Sequence, residues 1–265
     1  MLTKLIKYDL KSLSRVLIPA NILLLIYSFL ARCVITSELY NDLPYFVIGL
    51  GITTYIILLV LINYITLFAV LYRFYKNLFT DEGYLTLTLP VTPSQHLLAK
   101  TISGTFWVVL SYAVITISIL MLVLVPDVIK HSDMIMSELT KSLEMPASFF
   151  FISTFMVGLI SCFFALPFYY VCIALGQLFN KHRILAAVIL FFALSSVVSV
   201  ISLIILFVVG AFPLLFGPAS NLSEMTNVSH LLSTSYGVNC IIMVIQGVLS
   251  YVVTLYIMKK KINLE

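Results

Sequence analysis

Residues 45–71 read YFVIGLGITTYIILLVLINYITLFAVL, 27 positions without one charge. A helix rises about 1.5 Å per residue, so about 20 apolar residues cross a hydrocarbon core about 30 Å thick. The run is continuously apolar, unlike the alternating segments of about ten residues that build a membrane β-barrel. The rest of the chain agrees. Its 265 residues are 62% hydrophobic and 10% charged, with a mean hydropathy of +1.13. A soluble domain carries about 25% charged residues. The sequence predicts an all-α polytopic membrane protein with six transmembrane helices.

Before this run, residues 1–16 place Leu2, Leu5, Ile6, Leu10, Leu13 and Leu17 at helical spacing, beside a stripe of Lys4, Lys7, Lys11 and Arg15. That pattern suits an amphipathic helix lying in an anionic headgroup layer. No small-residue cleavage site follows, so no removable leader is read here. The first span is expected at 17–36, with Pro19 and Asn21 in its first turns and Arg32 near its far end. An arginine there can snorkel to the interface, or it can face a translocation path or partner subunit. Asn63 and Thr66 are the mid-span polar groups of the second span, able to bond across helices or line a path.

The remaining spans are read at 102–125, 147–176, 184–209 and 236–258, and a basic tail at 259–265. An outer segment at 127–145 shows helical spacing in Ile135, Leu139 and Leu143. Pro167 is expected to kink the fourth span. Between the fifth and sixth spans, residues 210–235 include Pro213, Gly217 and Pro218. They read as a broken, partly re-entrant outer segment, which protein or a wet cavity must cover. The four cysteines fall in predicted helices and read as small apolar residues, although Cys33 and Cys240 share the outer side and could pair.

Charge sets the expected orientation. With both termini inside, twelve basic groups fall on inner segments and only Arg32, Lys130 and Lys141 outside. That satisfies the positive-inside rule. Residues 79–100, FTDEGYLTLTLPVTPSQHLLAK, then face the cytoplasm. This insert is too elaborate for a simple connector, with two acids, a glycine, a Leu–Thr alternation and two prolines. The alternation at 85–89 has the period of a strand, whereas the acids at 81 and 82 suit the start of a short helix. Thr92 or Ser94 can cap the next helix.

The sequence carries no recognisable catalytic motif. There is no phosphate-binding GxxxxGK[ST], no HExxH and no GxSxG. The four histidines are scattered, and no carboxylate falls deep in an expected span. No metal site, catalytic residue or bound cofactor is therefore expected in this chain. Asn221-Leu-Ser223 and Asn227-Val-Ser229 match the glycosylation sequon, which matters only in a glycosylating pathway.

The insert resembles a known element. Glu82-Gly83, the leucines 85, 87 and 89, Pro90-Val91-Thr92-Pro93-Ser94 and Leu97-Leu98-Ala99-Lys100 are similar to the cytoplasmic loop between helices two and three of ABC-2 type permeases. These are the membrane subunits of bacterial ABC exporters. The detailed match covers about twenty residues, and the six-span layout is similar too. The resemblance implies a coupling helix in which Asp81, Glu82, Gly83, Tyr84 and Leu85 dock on a separate ATPase subunit that binds ATP and magnesium. It also implies a second permease subunit, identical or not, meeting this one along the first and fifth helices in a bacterial plasma membrane. Asn21, Arg32 and Asn63 are candidates for the path or a partner contact. An amphipathic cargo is expected first, such as a cytolytic peptide of the phenol-soluble-modulin type or a lantibiotic-like peptide, and a lipid or drug second. An intramembrane enzyme and a non-transporting immunity or sensor protein are the competing classes.

Overall fold

The computed structural model describes residues 2–37, 43–80, 83, 91–143, 145–179, 181–211 and 228–260. These form eight α-helices: α1 (Leu2–Thr36), α2 (Tyr45–Phe79), α3 (Pro93–Val123), α4 (Pro126–Lys130), α5 (Ser132–Leu143), α6 (Ala147–Gly176), α7 (Arg183–Leu206) and α8 (Val228–Lys260). A π-helical turn, Phe207–Ala211, continues α7. Six helices are long and apolar enough to cross a bilayer. By length and hydropathy this is a multi-pass membrane protein.

Helices are the natural state of such runs because a lipid environment leaves no water to pair an exposed backbone. Many of the hydroxyls in them bond back to the helix's own carbonyls. Thr53 and Thr54 donate to the carbonyls of Gly49 and Leu50 at 2.8 and 2.7 Å, and Thr116, Thr154 and Ser196 bond back four residues in the same way. A Ser or Thr therefore enters an apolar helix with little polar surface left unpaired.

The chain divides into two compact units, at residues 1–133 and 134–265. In the first, α1 packs along α3 and α2, and α2 along α3. The buried stripe of α1 is Asp9, Leu13, Leu17, Asn21, Leu24 and Ser28, a spacing of three and four that keeps one face inward. Helix α2 buries Ile62, Thr66, Val70, Phe74 and Leu78, all in its second half. Its first half, from Tyr45, has no buried residue. On α3 the buried set includes Ala99, Ser103, Gly104, Ser111 and Ser118. Small side chains let backbones approach closely where lipid offers no hydrophobic drive for association.

In the second unit α6 packs along α8 and α7, and α8 also meets α7 and the π turn. Phe168, Val171 and Cys172 form its core, with Leu175, Phe191 and Leu194 against them. Two glycines permit close approach. A Cβ at Gly247 would lie 2.6 Å from Phe164 Cδ1, and one at Gly176 would lie 2.7 Å from Ala187 Cβ. The short α6–α7 connection ends on His182, held in the left-handed region at φ 55°. Pro167 is buried within α6, which continues through it.

Several expected boundaries move. The surface helix expected over residues 1–16 is no separate element: α1 runs unbroken from Leu2 to Thr36, and Pro19 lies inside it. Asp9 and Leu13 are buried on the same stripe as Leu17, so packing carries the helix across the expected break. Lys4, Lys7, Lys11 and Arg15 are exposed, as their stripe predicts. The segment read at 127–145 holds two helices, α4 and α5, divided by a turn at His131. The last helix begins at Val228, before the expected 236, so 228–235 leave the broken segment and join the helix. Residues 212–227 of that segment and 261–265 of the basic tail lie outside the described residues.

Candidate functional site

Asp9 is the one acid on α1, and it lies on the buried stripe four residues before Leu13. It is only 4% exposed. A carboxylate so placed must be paired, because an isolated buried charge is far too costly. Its Oδ1 accepts two hydrogen bonds from cations, one from Arg73 Nε of α2 at 2.9 Å and one from Lys100 Nζ of α3 at 2.6 Å. Arg73 also donates from a terminal nitrogen to Ser12 Oγ of α1. With the Asn77 amide oriented to suit its neighbours, its oxygen accepts from Lys100 Nζ at 2.9 Å and its nitrogen donates to the Arg73 carbonyl at 3.3 Å. One carboxylate thus ties three helices together, with a net charge of +1 in the triad. Beside it on α3, His96 is fully buried, and its Nε2 has no hydrogen-bond partner.

This cluster lies where the insert joins the helices. Arg73 stands six residues before the end of α2 at Phe79, and Lys100 seven after the start of α3 at Pro93. Both joints are firmly built. Phe79 is buried edge-on to Phe74, with ring centroids 5.7 Å apart. Thr92 opens α3 with Pro93 in the first helical position, and the Gln95 side chain accepts from the Thr92 N–H at 3.3 Å. Pro there loses no intrahelical bond, and a polar cap followed by Gln is a helix-start signature. Of the two caps the sequence offered, Thr92 and Ser94, Thr92 takes the position.

Of the docking residues expected in the insert, Gly83 is described. Its N–H donates to the Thr80 carbonyl at 2.7 Å, and a Cβ on it would lie 2.7 Å from the Leu78 carbonyl oxygen. The position accepts only glycine because the backbone of Leu78 fills the space. Asp81, Glu82, Tyr84 and Leu85 lie outside the described residues, as does the question of whether 85–89 is helical or extended.

The other candidates divide. Asn21 is buried in a second polar layer, where its Nδ2 donates to Ser111 Oγ at 3.1 Å and Ser111 Oγ meets Thr66 Oγ1 at 3.0 Å. That layer again joins α1, α2 and α3. Arg32 is half-buried, and its terminal nitrogen donates to the Met121 carbonyl at 2.9 Å. Met121 lies in the last turn of α3, where carbonyls lack helical partners and a cation is favoured. Asn63 is exposed. The structure gathers Asn21 and Arg32 into helix-to-helix contacts and leaves Asn63 outside them.

Sequence reasoning missed Asp9, and it counted Arg73 and Lys100 only as cations that set orientation. A signal was present. Asp9 is the one charge on the buried stripe of α1, and a charge on a buried stripe requires an opposite charge on a neighbouring helix.

Comparison of the chain with protein-family models, with curated proteins and with solved structures finds no match.

Proposed function

We propose that this chain is the membrane subunit of an ATP-driven ABC exporter of the ABC-2 type. The observation that carries the reading is the Asp9–Arg73–Lys100 triad, placed where the insert meets α2 and α3. An insert that only connected two spans would need no buried charges linking its ends to a third helix. An insert that receives force does, because the push must move several helices as one body. The resemblance of residues 82–100 to the permease coupling loop supplies the partner: a cytoplasmic ATPase subunit that binds ATP and magnesium and docks on residues 81–85. In this reading both termini are cytoplasmic in a bacterial plasma membrane. A second permease subunit completes the path, and this chain performs no chemistry of its own. The cargo is an amphipathic molecule, first a cytolytic or antimicrobial peptide, in keeping with spans almost free of charge.

The test is purification of the tagged chain from its own membranes in mild detergent, followed by assay of bound ATP hydrolysis. The wild-type chain carries an ATP-hydrolysing subunit. Deletion of residues 81–90 removes it, and so does Gly83→Leu, which collides with the Leu78 backbone. Normal ATPase retention by both variants would overturn the assignment.

A further inference from the structure

We infer that the second unit holds a pocket, midway through the membrane, for a small uncharged molecule that joins an apolar ring to an amide, with the amide read by Ser161, Ser195 and Gln246. The inference rests on the chain being a membrane protein and not on the exporter reading.

The pocket has a volume of about 220 Å³ and is walled by α6, α7 and α8. Each helix contributes one of the three polar residues, Ser161 from α6, Ser195 from α7 and Gln246 from α8. Each stands near the middle of its span, in Ala147–Gly176, Arg183–Val209 and Leu232–Lys260 respectively, so the three meet at one depth. Thr154 and Ser196 bond back to their own helices, but among the described residues the side chains of Ser161, Ser195 and Gln246 make no hydrogen bond. Polar groups left unpaired at that depth are costly, because hydrocarbon offers no water to pair them. The aromatic walls are firmly held. Phe168 belongs to the core of the unit, and Tyr169 and Phe191 stack with centroids 5.4 Å apart and planes 21° apart. Phe164 is pressed against Gly247, the chain neighbour of Gln246, where a Cβ would lie 2.6 Å from its Cδ1. That close approach holds Gln246 at the pocket.

Size and lining select the occupant. An apolar cavity of about 150 Å³ stays dry and takes up benzene, so this pocket has room for such a ring and a polar group beside it. It lies below the roughly 300 Å³ at which drug-sized sites begin, so the molecule is small. Water alone fits poorly. Each water needs about two to four polar partners, and a pocket of this size would need several waters for three polar side chains. An acyl chain fails for the opposite reason, because it would leave all three side chains unpaired. A charged group is disfavoured at that depth, and the described lining carries no charge to meet one. An amide suits the site. Its N–H donates and its carbonyl accepts, the Gln246 amide offers the complementary pair, and each serine hydroxyl can serve either way. The three polar residues are half-buried, so the pocket is open at the protein surface and a molecule dissolved in the bilayer reaches it from the side.

The experiment follows the melting temperature of the full-length chain in mild detergent micelles as benzamide is added, with toluene at equal micellar concentration as the control. Benzamide raises the wild-type melting temperature along a saturating curve, and toluene, which has the ring without the amide, raises it far less. Gln246→Leu, with no added benzamide, melts at or above the wild-type temperature because it loses no bond. Its affinity for benzamide is lower by roughly tenfold. The proposal is overturned by a wild-type chain that shows no saturable rise, or by a rise with toluene equal to that with benzamide. Undiminished benzamide affinity in Gln246→Leu overturns it as well. So does a Gln246→Leu variant that melts below wild type before benzamide is added, which would show that the Gln246 amide is already bonded within the fold.

Discussion

Replacing Asp9 by alanine removes the shared anion of two cations. The Asp9 and Lys100 side chains are 6 and 8% exposed, whereas Arg73 is 25% exposed. Breaking a buried ion pair from one side costs about 3–5 kcal/mol, because the remaining charge is stranded. Arg73 can recover part of its hydration, and it keeps Ser12. The stranded charge is chiefly Lys100, whose side chain is 8% exposed. The expected loss is therefore near the low end, about 3 kcal/mol, or more than a hundredfold in the unfolding equilibrium. Asp9→Leu combined with Lys100→Met should return most of that loss, because an apolar pair of similar volume often substitutes for a buried ion pair at little cost. The assay is reversible unfolding of the purified chain in mixed micelles titrated with a denaturing detergent. The reasoning would be refuted by an Asp9→Ala variant within about 0.5 kcal/mol of wild type, the level of an ordinary surface change. A double variant no better than Asp9→Ala would refute it equally.

Two further substitutions test the packing of each unit. Ser111→Ala removes the hydroxyl that joins Asn21 to Thr66 and should destabilise the chain by about 0.6 kcal/mol, the average for hydrogen bonds between membrane helices, and by no more than about 1.7 kcal/mol, in the same titration. Gly247→Ala places a Cβ 2.6 Å from Phe164 Cδ1 and 3.0 Å from the Phe164 carbonyl oxygen, so α8 must retreat from α6. The expected cost is about 1–3 kcal/mol, as for other overpacked contacts, and additional truncation of Phe164 to leucine should relieve part of it.

The spans were legible because a charge-free run of that length has only one stable state in lipid. Helix α6 begins and ends at the residues expected, Ala147 and Gly176, since Pro146 precedes it and a tight turn follows. Boundaries failed where hydropathy and helicity part company. Val228 to Ser235 is too polar to be read as span, yet it continues α8 because a helix need not end where the membrane does. The same confusion split α1 at residue 16. Polar residues within spans announced that they needed partners. Asn21 does not reveal Ser111, ninety residues away, because three-helix packing chooses the pair. The triad was least legible of all. Sorting cations by side treats Arg73 and Lys100 as free charges, and only the fold reveals that one buried carboxylate binds both.

The central claim is that the 79–100 insert receives a push from an ATP-binding subunit, and crosslinking addresses it most directly. A photoreactive phenylalanine analogue is placed at position 84 in the insert or at position 45, at the opposite end of α2, in cells that hold the complete transporter. The account predicts an adduct with the ATP-binding subunit from position 84 and none from position 45. No adduct from 84, or one from 45 instead, would contradict it.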